Sequence, residues 1–135
     1  MRISKITNSI RESTNRVIDK FNKNQIGEEQ DITAQLVGDI EKSLNQLKND
    51  FKIETKVFTS RGRNSEESIV GADLGVILEI NGTVKKAFLS QAKIGNYING
   101  NLTFKNDINL QQQCKKMLNI TSDSFVFIYT HKGIF

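Results

Sequence analysis

Residues 71–93 read GADLGVILEINGTVKKAFLSQAK, and the fold of the whole chain turns on them. Two apolar runs, Ala72 to Ile80 and Val84 to Ala92, flank Asn81-Gly82. Asn-Gly between strand-like runs is a strong hairpin signal, because both residues tolerate the positive φ of a tight turn. The polar cargo sits away from the turn: Asp73 near the start of the first strand, Gln91 and Lys93 near the end of the second. Those ends are neighbours in an antiparallel hairpin, so a carboxylate, an amide and an ammonium converge there as a candidate active site.

Whether they share a face depends on register. A two-residue loop at Asn81-Gly82 sets Asp73 opposite Ser90 and turns Gln91 and Lys93 to the other face. A three-residue loop, Asn81 to Thr83, or a bulge at Gly75 sets Asp73 opposite Gln91, with Lys93 diagonal to it. The candidate site requires one of the latter two.

Upstream, Lys52 to Thr59 (KIETKVFT) alternates Ile53, Thr55 and Val57 with Lys52, Glu54 and Lys56, the pattern of a half-exposed strand. Residues 60–68 (SRGRNSEES) read as a polar loop into the hairpin, in which Arg61 and Arg63 suit phosphate contacts. Ile32, Leu36, Ile40, Leu44 and Leu47 recur every three or four residues and predict a helix beginning near Glu28 to Asp31, with Glu28 and Glu29 at its acidic start. Residues 2–23 place Ile3, Ile6, Ile10, Val17, Ile18 and Phe21 on one side of a further helix with a basic outer face.

Downstream, residues 94–107 (IGNYINGNLTFKND) are turn-rich, with Asn99-Gly100 as a second reversal, and read as a flexible connection. A helix from about Asp107 to Leu118 follows, with Ile108, Leu110, Cys114, Met117 and Leu118 as its apolar side and Gln111, Gln112, Gln113, Lys115 and Lys116 around it. Ser124 to Thr130 (SFVFIYT) is apolar enough for a strand at a sheet centre, covered on both faces. His131 is the single histidine, which reads as a structural or solvated residue. The order helix, helix, three strands, helix, strand predicts a mixed sheet with helices packed on it. The expected division is an accessory helix over 1–25 and a core domain over 26–135.

At 135 residues, 37% apolar and 25% charged, the chain has the composition of an ordinary soluble domain able to bury a core. It contains no run of about 18 apolar residues and no signal-peptide core, so no membrane association and a cytoplasmic location are expected. One cysteine, Cys114, excludes an internal disulfide or a cysteine-based zinc site and reads as a buried core thiol. A net charge of +4 permits a polyanionic partner without requiring one. No G-x-x-x-x-G-K-[ST] stretch occurs, so no nucleoside triphosphate is expected. The apolar Ile134-Phe135 end suggests a homodimer interface or a larger parent protein.

An acidic helix start, a strand, Gly71-Ala72-Asp73 opening the next strand, Gln91-Ala92-Lys93 closing a third, a glutamine-bearing helix and a final apolar strand resemble the restriction-endonuclease-like PD-(D/E)XK nuclease superfamily. The likeness spans about Glu28 to Thr130 and is strongest to the Mrr-type branch, where Gln-x-Lys stands in the motif. It implies an α/β (α+β) core, α-β-β-β-α-β around a mixed four-stranded sheet, plus an extra N-terminal helix. It implies an endonuclease hydrolysing phosphodiester bonds with Mg²⁺ or Mn²⁺, in restriction, defence or mobile-element biology. DNA is the expected partner, and nothing in the residues separates it from RNA. By the resemblance, Asp73, the Gln91 side chain, the Ala92 backbone carbonyl and Glu29 (or Glu28) hold the metal, and Lys93 positions the attacking water. Gln113, with Gln111 and Gln112 as competitors, is the helix glutamine. Arg61, Arg63, Gln113, Lys115 and Lys116 are the expected nucleic-acid contacts. With Gln91 neutral, a single ion suits the site better than two. The alternatives are a catalytically inactive nucleic-acid-binding domain of the same fold and a small α/β interaction module.

Overall fold

The register of the central hairpin determines what the sheet can hold. In the computed structural model, which describes residues 3–47, 51–58, 62, 64–80, 82 and 84–135, Ile80 pairs with Val84 and Leu74 with Ser90. Three residues therefore separate the paired strands, and Asp73 falls opposite Gln91, the register the candidate site needs.

The chain is mixed α/β. Its elements are α1 (Ile3–Asn22), α2 (Glu29–Asn45), β1 (Phe51–Val57), α3 (Glu66–Val70), β2 (Leu74–Ile80), β3 (Val84–Ile98), β4 (Asn101–Phe104), α4 (Ile108–Ile120), β5 (Ser124–Thr130) and β6 (Gly133–Ile134). The sheet runs β1-β2-β3-β5-β6, with β4 paired to β3. β1, β2 and β3 form an antiparallel meander, while β5 lies parallel to β3. A parallel neighbour needs a crossover, and α4 lies in that connection.

One face of the sheet is the core. Leu74, Val76, Ala92 and Tyr129 project from β2, β3 and β5 and are buried with Val17, Phe21, Ile32, Leu36 and Val37 of α1 and α2. Side chains alternate along a strand, so the neighbours Asp73, Gln91 and Lys93 take the opposite face. His131 stacks on Phe21 at 4.2 Å between ring centroids, and its Nδ1 lies 2.7 Å from Asn22 Oδ1, which ties the β5–β6 turn to α1. Among the described residues no helix is long and apolar enough to cross a membrane.

Five sequence expectations are corrected. The polar loop over 60–68 contains the start of α3: the Ser65 hydroxyl accepts from Ser68 N at 3.1 Å, Glu66 and Glu67 occupy the first turn, and Gly71 closes the helix at φ 80°. Gly71 has a second constraint, since a Cβ there would lie 2.4 Å from the Gln113 carbonyl oxygen of α4. The supposed flexible connection over 94–107 is instead the continuation of β3, a two-residue turn at Asn99-Gly100 with both residues at positive φ, and β4. On α4, Ile108 and Leu118 are exposed at 69% and 59%, and the buried residues are Leu110, Gln113 and Met117. Cys114 is part-buried rather than enclosed in the core. Finally, β5 is flanked on one side by the two-residue β6 and leaves Phe125 half exposed, in an edge contact with Phe88 at 5.5 Å. Arg61 and Arg63 lie outside the described residues.

Candidate active site

Asp73 sits one residue ahead of β2, yet its backbone is clamped from both sides. Its carbonyl accepts from Phe58 N at 2.8 Å and its amide donates to Ser90 O at 2.9 Å. The side chain crosses to β3, where Oδ2 accepts from Gln91 Nε2 at 2.6 Å and from Ala92 N at 2.8 Å. Gln91 is 1% exposed, and its Oε1 has no hydrogen-bond partner. That orientation of the amide follows from charge, because the reverse would set two oxygens against each other. A buried acceptor without a partner costs about 1–3 kcal/mol, so Gln91 Oε1 is a position where a ligand would be stabilised. The Ala92 carbonyl lies beside it, 3.5 Å from Gln91 Nε2.

Two residues along β3, Lys93 is on the same face. Its Nζ lies 3.6 Å from Glu29 Oε2, and Glu29 Oε1 accepts from Ile94 N at 2.9 Å. The acidic start of α2 is thereby fastened to the strand that carries Gln91 and Lys93. Glu28 is the exposed residue preceding that helix and makes no side-chain cap, so of the two acids Glu29 is the one engaged.

Sequence reasoning missed Glu67. From α3 it lines the same cleft as Asp73, and its Oε1 accepts from Gln113 Nε2 at 3.1 Å. The available signal was Ser65 as an N-cap, two acids and a closing Gly71, which together curl Glu67 back over Asp73. Burial raises the Glu67 carboxyl to about 6, helped by the charge of Asp73 and opposed by Lys93. Burial also raises Asp73, against the pull of the Ala92 amide, Lys93 and Gln91.

These groups face a cleft of about 550 Å³ whose lining includes Glu28, Glu29, Asp31, Glu67 and Asp73. The cleft is acidic although the chain as a whole is basic. A phosphodiester is repelled from such a surface and a cation is drawn to it. Among the described residues no three His, Cys, Asp or Glu side chains gather as a metal group. Mg²⁺ does not require three, since it binds through one or two carboxylates and keeps several waters. Asp73, Glu67 and the unpaired Gln91 Oε1 are hard oxygen donors that fit it.

Of the remaining predicted contacts, Gln113 is buried against Glu67, whereas Gln111 and Gln112 are exposed. Lys116 Nζ donates to Ser68 O at 2.6 Å and so holds α3 to α4, while Lys115 is exposed on the same helix. Comparison of the chain with family models, curated proteins and solved structures found no match.

Proposed function

We propose that this chain is a metal-dependent endonuclease domain hydrolysing phosphodiester bonds in DNA, on a restriction-endonuclease-like core of the Mrr type. The observation that carries the reading is the open end of the β2–β3 hairpin, where Asp73 is oriented by Gln91 and Ala92 while Gln91 Oε1 is left unpaired and Lys93 stands alongside. The antiparallel meander β1-β2-β3, with β5 parallel to β3, agrees with such a core.

Asp73, Gln91 Oε1 and the Ala92 carbonyl would hold the ion, with Glu29 and Glu67 lining the same cleft. A bound divalent cation supplies charge for the phosphoryl oxygen and lowers the pKa of a water. Lys93, 18% exposed at its side chain, would position an attacking water and offset charge developing on the phosphate. Glu29 steers Lys93 through their ion pair and fixes its own carboxylate on the Ile94 amide. The five acids lining the cleft favour a reading in which a cation mediates contact with a phosphate backbone.

The test is conversion of supercoiled plasmid to nicked and linear forms with Mg²⁺, Mn²⁺ or EDTA. Cutting that needs the metal and disappears in Asp73→Ala and Lys93→Ala is the expected result. An inert protein that still shifts DNA on a gel would favour the inactive binder. A protein that does neither would leave the hairpin residues as scaffold.

A further inference from the structure

Glu66 and Glu67 are adjacent acids in the first turn of a five-residue helix, and they meet opposite fates. Glu66 turns outward and pairs with Lys56 at 2.6 Å. Glu67 turns inward against a second carboxylate, Asp73, in the acidic cleft. An acid that merely complemented the helix dipole would have no reason to face another acid.

The inward placement is built. Gln113 donates to Glu67 Oε1 from a side chain that is 9% exposed, and its own Oε1 is buried without a partner. Gly71 lets α3 close onto the Gln113 carbonyl, and Lys116 fastens Ser68 from the same helix. Two buried amides thus flank the carboxylate pair, Gln91 on Asp73 and Gln113 on Glu67, and each keeps an unpaired oxygen.

Asp73 spends two hydrogen bonds on one oxygen, and Gln91 beside it is neutral. A dication held by that pair alone is short of negative charge. We propose that Glu67 is the second carboxylate ligand of the divalent cation, compensating from α3 for the neutral residue at position 91, and that Gln113 is the positioning residue that aims it. The inference rests on the metal-dependent reading above and adds to it a ligand from a different element.

Mn²⁺ binding to the full chain, followed by calorimetry and by loss of the free-ion electron paramagnetic resonance signal, tests it without substrate. Glu67→Gln should weaken Mn²⁺ by about tenfold or more, with no fall in Tm, because the substitution removes a like-charge contact. Gln91→Glu placed in the Glu67→Gln background should recover most of that loss by returning a carboxylate to the other side of Asp73. Gln113→Met should weaken Mn²⁺ several-fold with Tm unchanged or raised, since a packing defect would lower Tm instead. If Glu67→Gln binds like wild type while Asp73→Asn does not, the metal reading stands and the role of Glu67 is overturned. Loss in Glu67→Gln without recovery in the double variant overturns the compensation. Wild type that binds no Mn²⁺, or Asp73→Asn that binds as well as wild type, overturns the metal reading and this inference with it.

Discussion

The two ends of the β2–β3 hairpin carry the same kinds of residue in opposite arrangements. Near the turn, Glu79 pairs across the strands with Lys85, Nζ to Oε2 at 3.5 Å, with the lysine 69% exposed. At the open end Asp73 faces an amide, and the next acid in reach is another acid, Glu67. The turn end follows the rule for stability, opposite charges across a wet sheet surface. The open end breaks it in a cleft, where burial raises the pKa of both acids. Like charges held together at a structural cost mark a site whose reward comes from a ligand.

The largest expected effect separates the ends by activity. Asp73→Asn should reduce plasmid cutting by at least about a hundredfold with little loss of Tm, because it keeps the shape while removing the carboxylate proposed to hold the cation. Glu79→Gln, the same chemical change at the other end, should leave cutting within about twofold of wild type. Equal losses in both variants would show that the open end is not special.

A second contrast concerns two glycines at positive φ, Gly71 at 80° and Gly82 at 66°. An alanine at either adopts a left-handed backbone at a cost of roughly 1–3 kcal/mol. At Gly82 the nearest obstacle is Glu79 Oε1 at 3.9 Å, so strain is the whole cost. At Gly71 the new methyl would lie 2.4 Å from the Gln113 carbonyl oxygen and 2.9 Å from Lys116 Cβ, so α3 must also move off α4. Gly71→Ala should therefore unfold at lower denaturant than Gly82→Ala, and of the two it alone should weaken Mn²⁺ binding. Equal midpoints in a urea titration would count against the α3–α4 latch.

How far the sequence revealed this contrast depends on the range of the interaction. The hairpin was legible because Asn81-Gly82 and the flanking apolar runs are adjacent in the chain, and register followed from asking where Gln91 must point. α2, α4 and β5 were legible to within a few residues by periodicity, and the structure adds Asp107 as the cap of α4, its side chain accepting from Leu110 N. Glu67 was not, because its meaning comes from Gln113, 46 residues away, through a helix that local polarity disguised as loop. For the same reason Gln113 is buried on α4 where Ile108 was expected: its amide has Glu67 to bond, and Ile108 stays exposed. Gly95 and Asn96 lie in the stretch that reads as turn-rich, yet they pair with Phe104 and Thr103 as β3 runs past the end of its pairing with β5.

A smaller effect is expected from pH. Glu67 titrates at about 6 in the folded protein against an ordinary 4.5, so the folded state binds its proton more tightly. Its contribution to stability is present below pH 4.5 and is lost as pH rises through 6, and the upward shift of Asp73 acts in the same direction. Asp39 behaves oppositely. The Arg16 hydrogen bond holds it below its ordinary 3.8, so its contribution is present above that pH and lost on acidification. In metal-free protein, Tm should therefore fall between about pH 4.5 and 6.5, and Glu67→Gln should flatten that fall while leaving the acid limb unchanged. An unaltered slope in the variant would place the titration elsewhere.

The smallest effect belongs to the turn end and is the control for all the others. Glu79 and Lys85 are directly opposed in register, and the pair is exposed enough for water and salt to screen it. Breaking it with Lys85→Ala should cost at most about 1 kcal/mol, and that loss should shrink further at high ionic strength. Neither plasmid cutting nor Mn²⁺ affinity should change, since the pair touches none of the groups that line the cleft. A salt-insensitive loss above about 1 kcal/mol would mean that the turn end, too, holds its charges in a low-dielectric setting. The hairpin's two ends would then differ in partner sign alone, and burial would no longer explain why the acids at one of them are raised.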